Sequence, residues 1–171
     1  KEYTIEDETI TLIEPTREHY IFDGWCADQL CETAIITEIP AGSYGNKVFY
    51  AKWTPVTYYI SYEGLQFVGL QQGYNNSENP YQYNIESETI LFKDPTRLGY
   101  NFKGWYLDSE HTTLITELPK GSYGDITLYA DWEIIIYNIT YTGVDFTGVS
   151  ASPIVNNTNG SITTYTVEDE I

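Results

Sequence analysis

Cys26 and Cys31, in the stretch "CADQLC", and His19 and His111 are the residues best suited to nucleophilic or metal chemistry. The four-residue gap between the cysteines fits neither a C-x-x-C redox pair nor a zinc knuckle, and no second Cys/His pair completes a ligand set. Two readings stay open: a local disulfide pinning the loop after Trp25, or two unpaired thiols. A catalytic centre needs a nucleophile, a base and an orienting group in one cleft, and nothing around either histidine recurs as such a set. "GSYG" at 42–45 and 121–124 lacks the Gly-Lys-Ser/Thr end and following helix of a phosphate loop, so it reads as a turn feeding a strand. Glu6–Asp7–Glu8 and Glu168–Asp169–Glu170 lack the alternating oxygen ligands around a glycine turn that Ca²⁺ requires, and read as exposed charge. The sequence therefore offers no catalytic residue, no metal ligand and no cofactor site.

The residues that do recur are aromatic. Tyr20, Phe22, Trp25, Tyr50 and Trp53 return as Tyr100, Phe102, Trp105, Tyr129 and Trp132, at an offset of 80 and then 79 residues. Such regularity predicts packing in a repeated core. The functional alternative is a set of sugar-binding platforms, to which the Tyr-rich "YNNSENPYQY" could contribute.

The elements carrying these residues follow the same period. "ETITLIEPTREHYIFDGW" is answered by "ETILFKDPTRLGYNFKGW", and "YYISYEGLQFVG" by "YNITYTGVDFTG". Tyr58, Ile60 and Tyr62 alternate with polar neighbours, as do Tyr137, Ile139 and Tyr141, which predicts half-buried strands. In "ITLYADW", Ile126, Leu128, Ala130 and Trp132 share one face. Gly24 and Gly104, each before a Trp, suit either a bulge or tight packing under the indole. A short helix is expected over "SEHTTLITEL", capped by Ser109. "TPVT" and "EIII" read as short linkers, and the Asn-rich "SASPIVNNTNGSITT" as a surface loop of variable length.

Composition narrows the function classes. The 8 basic and 25 acidic residues among 171 give a net charge of −17, which repels nucleic acid and anionic membranes. No run is long enough for a membrane span, and no signal peptide opens the chain. Beginning at Lys1 in mid-pattern, it reads as an excised or mature segment.

"PTRLGYNFKGWY" followed by "ITELPKGSYGDITLYADW" resembles the Listeria–Bacteroides repeat, the internalin-type B-repeat of bacterial surface proteins. The first repeat departs at His19, where the pattern has Gly, and at Cys26, where it has Tyr. The resemblance implies a mainly β fold (α+β as the variant) of tandem β-grasp-like modules, export to the cell surface, and a non-catalytic place in an adhesin, stalk or fibre. The partners it implies are neighbouring repeats, copies of the chain itself, or a host or cell-surface protein or glycan. Family phasing divides the chain into 1–55, the C-terminal part of a first repeat, 56–135, a complete repeat, and 136–171, the N-terminal part of a third. The alternative phasing gives units of 3–82 and 83–165. A third arrangement pairs 136–171 with 1–55 of the same or another molecule, and would link molecules head to tail.

Overall fold

A computed structural model describes residues 2–65, 73–139 and 164–166. The fold is mainly β: every regular element among the described residues is a strand. The chain divides into two compact units. The first comprises Lys1–Tyr58 with Tyr83–Glu88 and Lys120–Tyr123, and the second Tyr59–Gln82, Thr89–Pro119 and Gly124–Ile171.

Unit 1 contains β1 (Ile10–Thr11), β2 (Tyr20–Cys26), β3 (Glu38–Ile39) and β4 (Tyr50–Pro55). β1 pairs with β3, and β2 with β4, both antiparallel. The β2–β4 hairpin sets Phe22 opposite Trp53 and Trp25 opposite Ala51, with the register shifting between Phe22 and Gly24. Gly24, at φ +138°, is the bulge that the Gly-Trp spelling predicts. The Phe22 ring meets Trp25 and Trp53 edge-on at 5.5 and 5.3 Å.

The chain continues through β5 (Tyr58–Glu63), β6 (Gly73–Tyr74), β7 (Gln82–Tyr83), β8 (Ile90–Leu91), β9 (Thr96–Arg97), β10 (Tyr100–Tyr106), β11 (Leu114–Ile115), β12 (Glu117–Leu118) and β13 (Ile126–Ile134). It ends, for the described residues, with the short pair β14 (Tyr137–Asn138) and β15 (Thr164–Tyr165). The main sheet runs β11-β10-β13-β5-β7. Its β10–β13 hairpin repeats β2–β4 in detail: Phe102 faces Trp132, Trp105 faces Ala130, and the shift falls between Phe102 and Gly104. The Phe102 ring stands 5.4 Å from both Trp105 and Trp132.

What β13 adds is a second partner. β5 lies parallel to it, with Ile60 beside Ile126 and Tyr62 beside Leu128. The inward face of β5 closes the core of unit 2, where Leu128, Trp105, Ile60, Ala130, Tyr62 and Leu118 are all buried. Each large side chain buried in this way contributes about 1.5–3 kcal/mol. Asn79 is the buried polar residue among them. Its amide donates to the Lys93 carbonyl at 2.9 Å and accepts from the Lys93 N–H at 2.7 Å, stapling the 75–79 turn to the chain after β8.

Two expectations need correcting. The stretch "SEHTTLITEL" forms β11 and β12 rather than a helix, because Asp108 takes the Thr112 and Thr113 N–H groups and His111 adopts φ +53°. With β-branched Thr112, Thr113, Ile115 and Thr116 in sequence, the extended state wins. The linkers also shrink, since Thr54 and Pro55 belong to β4, and Glu133 and Ile134 to β13. Of the loop 150–164, residues 150–163 lie outside the described residues, as do Tyr141 and the acidic run 168–170, and Thr164 opens β15.

Candidate strand-docking groove

Unit 1 reproduces the hairpin of unit 2, and among the described residues no third strand pairs with it. Among the described residues β4 pairs with β2 alone, whereas its counterpart β13 pairs with both β10 and β5. β4 spans six residues and β13 nine. The three missing ones, Lys47, Val48 and Phe49, correspond to Ile126, Thr127 and Leu128, which are residues that ladder with β5. β4 begins at Tyr50, where its pairing with Cys26 of β2 begins.

Beside this edge lies an open groove of about 730 Å³ within unit 1, lined by Tyr3, Ile10, Trp25, Ile39, Tyr44 and Phe49 among others. In unit 2 the matching Trp105 and Leu128 are 2 % and 0 % exposed, while Trp25 and Phe49 remain half-buried. In unit 2 it is Tyr62 that meets Trp105, at 5.2 Å between ring centroids. Burial, and then the neighbouring Tyr81, raise the Tyr62 phenol above its usual range. Its hydroxyl donates to the Pro80 carbonyl at 2.7 Å. The far end of β5 is fixed by Trp132, whose indole N–H donates to the Gly64 carbonyl at 2.9 Å. Trp53 has no such acceptor among the described residues.

The aromatic residues singled out by their period sit mostly half-buried on these hairpins. Of Tyr20, Phe22, Trp25, Tyr50, Trp53, Tyr100, Phe102, Trp105, Tyr129 and Trp132, Trp105 alone is fully buried, and Tyr50 is 37 % exposed. Tyr50 and Tyr129 alternate with the inward residues Phe49 and Leu128, so they face the other side of the strand. Leu128, Ile60 and Tyr62 carry more of the core, and their own period-2 alternation is the signal that marks them. Arg17 and Arg97 cover the Tyr20 and Tyr100 rings at 3.6 and 3.4 Å, a repeated cation–π contact.

Cys26 and Cys31 form a disulfide, with Cα atoms 5.1 Å apart. Beside it, Asp28 accepts from the Thr33 hydroxyl at 2.6 Å and from the Thr33 and Glu32 N–H groups at 3.0 and 3.1 Å. These bonds, the Thr33 hydroxyl first, lower the Asp28 carboxyl to about 2. Asp108 repeats the arrangement with Thr112 and Thr113 and is likewise lowered. His19 stacks on Tyr123 at 4.1 Å and meets the Tyr58 hydroxyl at 2.9 Å through Nδ1. His111 lies 3.7 Å from Asp131. Among the described residues neither histidine is hydrogen-bonded to a Ser, Thr or Cys side chain, and the hydroxyl beside His19 is the Tyr58 phenol. Among the described residues no three His, Cys, Asp or Glu side chains converge, and no helix is long and apolar enough to cross a membrane.

The family profile of the Listeria–Bacteroides repeat domain matches residues 1–52 and 60–131. Two proteins of Evansella cellulosilytica are similar. One, named "Putative Gly-rich membrane protein", is 32% identical over 75% of this chain and 14% of its own length. The other, "Putative membrane protein", is 31% identical over 78% of this chain and 19% of its own. The chain thus spans less than a fifth of these relatives. No solved structure matches it.

Proposed function

Because the chain belongs to the Listeria–Bacteroides repeat family, we propose that it is a non-catalytic, extracellular repeat segment of a bacterial surface protein. Its work is mechanical: β modules in series extend a stalk or fibre, and length grows by adding repeats. The observation that carries this reading is the point-for-point likeness of β2–β4 and β10–β13, with the same facing pairs and the same bulge. Most side chains kept from one repeat to the next pack against each other, and the polar set that is kept, Asp28 with Thr33 and Asp108 with Thr112 and Thr113, accepts hydrogen bonds from its own loop. The membrane-protein names of the relatives fit a surface location. Antibody raised against the chain labels intact source cells, and protease shaving removes the signal. Labelling that appears only after permeabilisation overturns the reading.

Adhesion through exposed aromatics is a second reading. Tyr44 and Tyr123, on the two repeated "GSYG" turns, are 80% and 63% exposed, which suits a protein or glycan surface. A glycan array probed with Tyr44→Ala and Tyr123→Ala beside the native chain tests it. Binding that both variants retain refutes a role for these rings.

A further inference from the structure

We propose that Cys26 and Cys31 form a reversible thiol–disulfide exchange site. A low-molecular-weight thiol attacks the Cys31 sulfur, and Cys26 is the buried resolving cysteine. The inference goes beyond the structural-repeat reading, because a stalk module needs no bridge at this place. Unit 2 has Tyr106 and His111 at the two matching positions, with their rings in contact.

The loop between the cysteines is held by hydrogen bonds that the bridge does not supply. The Asp28 carboxylate accepts from the Glu32 and Thr33 N–H groups and from the Thr33 hydroxyl, and its carbonyl accepts the Cys31 N–H at 3.2 Å. Unit 2 folds the same loop with no cysteine in it. There Asp108 accepts from the Thr112 and Thr113 N–H groups, and its carbonyl accepts the His111 N–H at 3.2 Å. His111 also has the φ of +53° that Cys31 has. The bridge therefore closes across a loop that is already in place. Opening it leaves two thiols side by side, on Cα atoms 5.1 Å apart.

The two sulfurs are not equally open to attack. Cys26 is 0 % exposed, whereas Cys31 is half-buried. A thiolate approaches a disulfide along the S–S axis, from the side opposite the sulfur that leaves. Approach to Cys31 Sγ starts on the side away from the buried Cys26, and approach to Cys26 Sγ starts on the covered side. In the first step RS⁻ bonds to Cys31 Sγ, the S–S bond breaks, and Cys26 leaves as a thiolate that takes a proton from water. A second RS⁻ then attacks the outer sulfur of the mixed disulfide and frees Cys31 as a thiolate. The two thiols depart oxidised, as RSSR, and the cystine is reduced by the same two electrons. In the return direction the Cys26 thiolate attacks Cys31 Sγ, expels RS⁻ and restores the bridge. Cys31 Sγ lies 3.9 Å from the Tyr50 carbonyl oxygen, which can accept the proton of the open thiol.

Reaction of the folded chain with cysteamine, quenched by acid and mapped by peptide mass spectrometry, tests this. The mixed disulfide is expected on Cys31, and a brief iodoacetamide pulse on the reduced chain labels Cys31 ahead of Cys26. The indole signals of Trp25 and Trp53 keep their folded positions in the reduced chain, and cystamine restores the bridge. The chain-entropy relation gives about 2 kcal/mol for a bridge of this span. Closure is therefore about thirtyfold more favourable in the folded chain than in urea-unfolded chain. Asp28→Ala frees the loop and lowers that ratio. Thr33→Val, which removes a single donor, lowers it less and carries the comparison if Asp28→Ala does not fold. An adduct on Cys26, or one shared evenly, overturns the proposal. So does a bridge that opens only when the Trp25 and Trp53 signals collapse, or a ratio that neither variant changes. Cell labelling reads the surface location separately, so the two ideas fail independently.

Discussion

Reducing the Cys26–Cys31 bridge perturbs unit 1 and leaves unit 2 as an internal control. The two half-cystines are five residues apart. The chain-entropy relation for a loop of that size gives about 2 kcal/mol of stabilisation, modest because so short a loop constrains few unfolded conformations. For a domain of this size, 2 kcal/mol corresponds to a fall of about 8–16 °C in Tm. Unit 2 holds Tyr106 and His111 at the matching positions, their rings 5.2 Å apart, so a reductant has no target there. The four tryptophans divide the readout by unit. Indole N–H signals of Trp25 and Trp53 follow unit 1 in a thermal NMR series, and those of Trp105 and Trp132 follow unit 2. The expected result is a lower midpoint for the first pair with phosphine reductant, reproduced by the double variant Cys26→Ala/Cys31→Ala. A unit 1 midpoint that does not move, or equal shifts in both pairs, refutes the reasoning.

Three further outcomes are expected. Asp28, lowered to about 2 by the Thr33 hydroxyl and nearby N–H groups, binds its proton less readily folded than unfolded. Its contribution is therefore complete above the ordinary carboxylate range, near 4, and is lost as pH falls through about 2; an NMR titration midpoint for Asp28 near 4 would count against the hydrogen-bonded geometry. Asn79→Ala strands the Lys93 N–H, while the Lys93 carbonyl keeps the Trp105 indole N–H at 3.0 Å, and costs about 1–3 kcal/mol in urea unfolding of unit 2; an unchanged midpoint would mean that water reaches the freed N–H. Gly64→Val meets both a positive φ and the Ala130 carbonyl, so it costs more than about 1 kcal/mol in the same assay; a neutral result would remove the steric basis assigned to this glycine.

Much of the architecture was legible because aromatic residues on a period of 80 report a repeated hairpin directly. The Gly-Trp pairs marked both bulges, and the alternation of Tyr58, Ile60 and Tyr62 marked β5. Other features depend on tertiary contacts. The β5–β13 pairing joins residues more than sixty positions apart, and no local pattern states that it is parallel. Nothing in "YNNSENPYQY" marks Asn79 for burial, yet it is 2 % exposed, its amide bonded to the Lys93 backbone. His19 was visible as a departure from the family's glycine. The backbone still requires φ +64° there, close to the +77° of Gly99, and the ring settles against Tyr58 and Tyr123.

Amide hydrogen exchange on dilute, monomeric chain tests most directly whether β4 lacks the partner that β13 has. Slow exchange across Ile126–Tyr129, where β5 ladders with β13, and fast exchange across Lys47–Tyr50 is the expected result. Equal protection of the two stretches in the monomer would contradict an open groove in unit 1.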